Sequence, residues 1–325
     1  MYIPESFSAS LFLMVLSMVC WGSWANAFNF CRGRYRFELF YWDYAAGVLL
    51  GSSAFFVTLG PGFRQFGQIT TSANALWAVL SGCVFSVGNV LLVAAISVTG
   101  MAVAFPVCIG LALLLGVGLS WWISPEVPVV ALLGGAVLLL FSICLDAAAY
   151  RAMTRQTTPS NRGIVIAILG GVFMGLFPPS LQKALVGPGA LDPYTAAVML
   201  GVGVVVCTLA TNWLFMRHPI AGGEPLRAAA YWAAAPAHHG LGILGGAVWA
   251  AGTVFNSIAG DKVSIAVSYA FGTGATLVAA LWGVLVWKEF RGAPRRSFYY
   301  VVGMFISFLA GIAVIAWAKV TLPSN

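Results

Sequence analysis

Residues 65–125 read QFGQITTSANALWAVLSGCVFSVGNVLLVAAISVTGMAVAFPVCIGLALLLGVGLSWWISP, with no Asp, Glu, Lys or Arg anywhere in the run. One bilayer crossing takes about 20 apolar residues, so the run is too long for a single helix. Ser97, Thr99 and Gly100 sit in its middle as turn formers. The reading is two spanning helices, near 74–96 and 101–123, joined by a tight turn. A transmembrane barrel is rejected because its strands alternate apolar and polar residues. Stretches such as 127–145 are continuously apolar instead.

The rest of the chain has the same character. Its 325 residues are 61% hydrophobic and 8% charged, against roughly 25% charged in soluble domains. Mean hydropathy is +0.94. The same rule predicts further spans near 9–30, 40–60, 127–146, 163–183, 193–216, 240–260, 263–287 and 298–318. The fold class is therefore an all-α membrane protein of ten transmembrane helices. Ala25-Asn26-Ala27 resembles a signal-peptide cleavage site, but residues 1–10 hold no Lys or Arg, so the first segment reads as a retained span.

The net charge of +7 does not imply a nucleic-acid partner, because the basic residues occupy short loops. Twelve of the 16 fall on one side: Arg32, Arg34 and Arg36; Arg151, Arg155 and Arg162; Arg217 and Arg227; Lys288, Arg291, Arg295 and Arg296. Arg64, Lys183, Lys262 and Lys319 fall on the other. The positive-inside bias puts the first side in the cytoplasm and both termini outside, in a multi-pass protein of the cell membrane. The six cysteines form no CxxC or Cys/His cluster and read as small buried hydrophobes. No metal and no cofactor are expected. There is no GxxxxGK[ST], hence no direct ATP drive. His238-His239 reads as an isolated loop-edge pair, and no catalytic constellation appears in the spans, so the protein is not expected to be an enzyme.

Laying residues 81–126 on 245–290 matches Gly82 to Gly246, Val84 to Val248, Gly88 to Gly252 and Gly110 to Gly274. This predicts two five-helix repeats, residues 1–147 and 163–325, joined by a short basic cytoplasmic linker, 148–162. Five is odd, so the repeats are inverted, an architecture that in transporters puts the solute near the midplane between the halves. With Gly22 on Gly175, Ala25-Asn26 falls on Pro178-Pro179 and Asn29 on Gln182. Both first helices thus carry polar or helix-breaking residues at one depth, which predicts irregular backbone beside a wet cavity.

Several motifs carry a family resemblance: Met1-Tyr2 with Glu5-Ser6, the stretch Cys20 to Asn26 (CWGSWAN), Trp42-Asp43-Tyr44, and Ser86-Val87-Gly88-Asn89 followed by Ala95 to Val103. On these the chain resembles the ureide permease family of the drug/metabolite transporter superfamily (EamA-like), near its glucose/ribose and rhamnose porter branch. The likeness is closer in the first half than in the second. It implies ten helices in two inverted repeats and ion-driven solute uptake, protons being the expected partner ion. It also implies a small, polar, mostly uncharged solute: a ureide, a nucleobase or a monosaccharide. Plant members carry a large central cytosolic loop, which the short 147–162 segment lacks.

Expected solute contacts are Trp21 and Trp24, aromatic rings on one face of span 1 with Phe28, together with Asn26, Asn89, Gln182, Tyr269 and Thr273. An aromatic wall beside amides and hydroxyls suits a flat polar ring, or a sugar. Asp43, one turn inside span 2, is the expected proton-coupling acid, since a carboxyl partly withdrawn from water suits proton exchange. The competing reading has it snorkel or pair with Arg36. Pro106, Pro178 and Pro179 are expected hinges or helix breaks. Asp146 reads as a span-end anchor. A drug or amino-acid exporter of the same superfamily is the alternative function.

Overall fold

A computed structural model of the chain describes residues 1–31, 33–62, 73–123, 125, 128–153, 160–219, 223–263, 265–289 and 291–321. Arg32, Arg64 and Arg155 of the charge count, and the side chain of Lys319, lie outside them. Among the described residues every regular element is helical. The order is α1 (Phe7–Ser23), α2 (Asn26–Phe30), α3 (Phe37–Thr58), α4 (Ala73–Thr99), α5 (Met101–Ile123), α6 (Val129–Met153) and α7 (Asn161–Leu185). Then come α8 (Pro193–Arg217), the short α9 (Ala228–Trp232), α10 (Pro236–Val263), α11 (Ile265–Gly272), α12 (Ala275–Leu281) and α13 (Arg295–Thr321). A π-helical turn, Trp282–Val286, prolongs α12.

Nine helical segments among the described residues are long and apolar enough to cross a membrane. Helix α3 is not one of them, because Glu38, Asp43 and its tyrosines dilute its apolar run. At 22 residues it is nevertheless about 33 Å long, enough for a hydrocarbon core of about 30 Å. The chain is a multi-pass membrane protein.

Local chemistry explains most boundaries. Ser6 caps α1 by accepting from Ala9 N at 3.2 Å. Asp192 caps α8, accepting from the amides of Tyr194 and Thr195, with Pro193 at the first helical position. The expected α4–α5 turn is made by Gly100 at φ 81°, a conformation that only glycine adopts cheaply. Helix α6 runs on to Met153, past the expected repeat end at 147, because Ala147, Ala148 and Ala149 keep propagating it.

The helix breaks are not where the prolines suggested. Pro106 lies inside α5, and Pro178 and Pro179 inside α7, and neither helix ends there. Each proline removes one backbone donor, yet both helices continue through it. Just before Pro178, Ser81 Oγ of α4 donates to Phe177 O at 2.9 Å and ties the two helices together there. The actual breaks fall at Trp24–Ala25 and at Thr273–Gly274.

Glycines set the closest packing. A Cβ on Gly82 (α4) would overlap the backbone of Leu200 and Val204 (α8), and one on Gly246 (α10) the backbone of Tyr44 and Val48 (α3). Gly47 meets the carbonyl of Ile243, and Gly203 that of Val79. Membrane helices lack a hydrophobic drive toward each other, so such small-residue contacts carry their association. Helix α7 packs on α4 and α5, α1 packs on α10 and α12, and α6 packs on α13.

Candidate functional site

Trp21, from the last turns of α1, lies at the centre of an aromatic cluster. Its ring stacks on Trp249 (6.3 Å between centroids) and meets Phe177 edge-on at 6.4 Å. Phe85 of α4 stacks on Trp249 of α10 at 4.0 Å. Gly252 and Gly272 leave the space that the Trp21 indole fills, since a Cβ on either would overlap the ring. The indole N–H is shared between Trp249 O (3.2 Å) and Thr253 Oγ1 (3.3 Å).

Beside this cluster runs a narrow slot of about 20 Å³, room for about one water. Trp21, Phe177, Pro178 and Leu181 form its apolar side, and Thr253, Asn256, Ser257 and Tyr269 its polar side. Leu185 extends it toward the end of α7 remote from the basic loops. Three of the expected residues, Trp21, Pro178 and Tyr269, meet here. Gln182 lies one position from Leu181, is buried, and its Oε1 has no partner. An unsatisfied buried acceptor costs about 1–3 kcal/mol, so Gln182 is poised for a donor.

The other expected residues are engaged elsewhere. Trp24 packs on Tyr44 at 4.7 Å, and Phe28 on Phe37 and Phe40. The expected single aromatic face of span 1 is thus divided by the Trp24–Ala25 break. Asn26 donates to Ser23 O (3.1 Å) and accepts from Trp287 Nε1 (2.6 Å), while Trp282 Nε1 donates to Ser23 Oγ at 2.9 Å. These bonds tie the break in the first helix to the end of the α12 run. Asn89 donates to Tyr41 OH at 3.5 Å. Thr273 donates to Ala270 O at 2.6 Å within its own break.

Asp43 is almost fully buried and at the centre of a second network. Tyr35 OH donates to its Oδ2 at 2.6 Å and Tyr231 OH to its Oδ1 at 2.5 Å, and His239 Nδ1 lies 2.9 Å from Oδ2. Gly242 of α10 makes the room, since a Cβ there would overlap Asp43. The pairing with Arg36 does not occur: that guanidinium binds Glu38 (2.6 Å) and the carbonyl of Glu224. His238 and His239 are not an isolated loop edge. They open α10, His238 stacking on Tyr35 and His239 joining the carboxylate. Burial, and then the bond to Asp43, push the phenols of Tyr35 and Tyr231 well above the usual tyrosine value, so both remain donors.

Sequence reasoning missed Phe177, Trp249, Thr253, Ser257, His239 and Tyr231. The available signal was the repeat alignment, which lays Phe85 on Trp249 and Asn89 on Thr253. Asp146, expected as an anchor, is instead buried at 5% exposure, and nearby Tyr150 OH donates to Glu289 at 2.9 Å.

A bundle of apolar helices with a polar-walled slot at its centre and a buried carboxylate network near one face is a membrane transporter, not an enzyme. The chain belongs to the ureide permease family, whose model matches residues 149–318. Ureide permease 1 of Arabidopsis thaliana is 21% identical over 389 aligned positions, covering 97% of this chain and 98% of the relative. Ureide permease 2 of the same plant is also 21% identical, with the same coverage. A solved structure titled "Crystal structure of protein" superposes with a TM-score of 0.66 at 18% identity, over 97% of this chain and 99% of that one, and shows a shared fold. The matched residues 149–318 lie in the half where the motif likeness was looser.

Proposed function

We propose that this permease carries a ureide, a small uncharged compound of the allantoin type, by alternating access between two inverted five-helix repeats of the drug/metabolite transporter kind. The repeats are 1–147 and 163–325, joined by the basic linker 148–162, with α3 as the tenth span. Reciprocal packing supports this reading. Tyr44 and Leu200, Gly47 and Gly203, and Val48 and Val204 are each 156 residues apart. Val79 and Ile243, Gly82 and Gly246, and Phe85 and Trp249 are each 164 apart. The closest glycine contacts of α4 with α8 thus have counterparts between α10 and α3, and the stacked Phe85–Trp249 pair falls on the implied axis.

The observation that carries the solute assignment is the slot with an aromatic wall facing hydroxyls and an amide. The slot as it stands holds about one water, so a ureide ring enters as the repeats part. It then offers a flat face to Trp21 and Phe177, and N–H and C=O groups to Tyr269, Thr253 and Asn256, with the unpartnered oxygen of Gln182 behind the Leu181 wall. Trp24 and Asn89 lie outside this contact set, and Asn26 and Thr273 serve closure. Protons are the coupling ion, taken up at the Asp43–His239 pair. The positive-inside bias supports cytoplasmic basic loops and external termini in the cell membrane.

The test is uptake of radiolabelled allantoin into proteoliposomes. Accumulation under an acid-outside pH gradient is expected to exceed uptake without one about tenfold, to disappear in Asp43→Asn, and to resist excess glucose. Uptake indifferent to the gradient removes proton coupling. Binding of glucose but not allantoin removes the ureide.

A further inference from the structure

A second and far larger cavity lies on the flank of the bundle, away from the slot. It measures about 760 Å³ and runs between α3, α8 and α9. Trp42, Leu209, Trp213 and Trp232 give it an apolar, aromatic lining, and Arg217 and Arg227 stand at one end. Trp213, Leu209 and Trp232 are exposed, as befits a surface turned to lipid.

Two features select the occupant. The first is charge: both arginines are at the basic end, and the guanidinium of Arg217 is held over the Trp213 ring at 3.7 Å, which fixes its orientation. A planar, preoriented guanidinium is suited to a phosphate. The second is depth. Along α8 the lining extends from Arg217 to Val205, about 18 Å at 1.5 Å per residue. That is close to one leaflet of a hydrocarbon core about 30 Å thick. Cation at the interface and one leaflet of apolar groove are the outline of a phospholipid.

We infer that this groove is a site for an anionic phospholipid, its phosphate on Arg217 and Arg227 and an acyl chain along Trp42, Leu209 and Trp213. Basic recesses at the cytoplasmic ends of spans are where anionic headgroups are recognised. The groove also touches the transport machinery. Tyr231 is part of its wall and donates its hydroxyl to Asp43. A bound lipid packs α9 inward and so favours that hydrogen bond. The inference stands on the groove alone and does not depend on the solute.

The experiment is thermal unfolding of the detergent-purified full chain with added phosphatidylglycerol, phosphatidylcholine or sn-glycerol 3-phosphate, with native mass spectrometry counting bound lipid. Phosphatidylglycerol is expected to raise the melting temperature and to be retained at least fivefold over phosphatidylcholine. Glycerol phosphate is expected to do neither. The preference should fall below twofold in Arg217→Gln/Arg227→Gln and partly persist in Arg217→Lys/Arg227→Lys. Equal effects of the two lipids on the wild-type protein overturn the inference, even if the variants do not fold. Full stabilisation by glycerol phosphate, or an unchanged preference in the Gln variant, does so as well.

Discussion

Helices α1 and α2 lie against the broken run α11–α12, and α7 lies against α5. In the proposed repeat these two contacts are equivalents, yet they are built differently. The first is irregular on both sides and hydrogen-bonded, Trp282 to Ser23 and Trp287 to Asn26. The second joins two uninterrupted helices through Gly175, set against Ala112 and Leu115. The repeat alignment gives the reason. Where α1 and α2 carry Ser23 and Asn26, α7 carries Leu176 and Pro179. Opposite the two tryptophans stand Gly118 and Ile123. One contact is clamped by polar bonds near the basic face; the other is smooth. In the proposed alternating carrier the two halves differ in conformation at any moment, and these two contacts already differ in their side chains.

The sharpest way to break this comparison is to crowd both contacts. A Cβ on Gly22 would meet Ala275 O and Val278 Cβ, both at 2.5 Å, whereas one on Gly175 would meet Leu115 Cβ at 2.7 Å and the Ala112 backbone at 3.2 Å. Gly22→Val should therefore cost about 3 kcal/mol and Gly175→Val about 2, within the usual range for overpacking. Thermal unfolding in detergent measures both, and equal losses would mean that the two contacts are alike.

Next in size is the clamp. Trp282→Phe with Trp287→Phe removes two donors at about 1 kcal/mol each. Labelling of a cysteine at Thr253 by an impermeant thiol reagent applied to the basic face should accelerate about tenfold. An unchanged rate would show that these bonds do not hold that face shut.

A smaller effect belongs to the α10–α11 clip, where Asn256 Nδ2 donates to Ser268 O and Ser268 Oγ donates to Asn256 O, both at 2.8 Å. Its counterparts in the first half are Leu92 and Ala104. Ser268→Ala gives the second half the alanine of the first and should cost only about 0.6 kcal/mol for the bond lost, the average for polar contacts between membrane helices. Transport asymmetry, read as the ratio of binding affinities from the two faces, should shrink with it.

The smallest response concerns pH. The phenols of Tyr35 and Tyr231 have values raised above the unfolded one. Their contribution is fully present below about pH 10, the ordinary tyrosine value, and is lost as pH rises beyond it toward the raised values. Unfolding followed from pH 6 to 9 should show no slope removed by Tyr35→Phe or Tyr231→Phe. A slope in that window that vanishes in either variant would contradict the assignment of these groups as fixed donors.

Much of the bundle was legible because charge-free runs have only one stable solvent. The 65–125 run, with Gly100 as its turn, became α4 and α5 where expected. The breaks were less legible. Proline marks a lost hydrogen bond, but whether a helix parts there depends on the packing around it, which sequence spacing does not reveal. Trp24–Ala25 and Thr273–Gly274 part without any proline. Trp21 and Tyr269, which both line the slot, were legible as candidates because bulky or polar residues stand out in an apolar helix. His239 was passed over as half of an isolated pair, since its partner Asp43 lies 196 positions away in the chain.

The glycine-to-carbonyl contacts of Gly47, Gly82, Gly203 and Gly246 leave no clearance for α3, α4, α8 and α10 to slip past one another. In the proposed alternating-access cycle those four rods are the chassis, and shape change falls to the segments around them. A fluorophore pair placed across the chassis should report a constant separation through the working cycle, an internal ruler against which a second pair on α1 and α12 can be read.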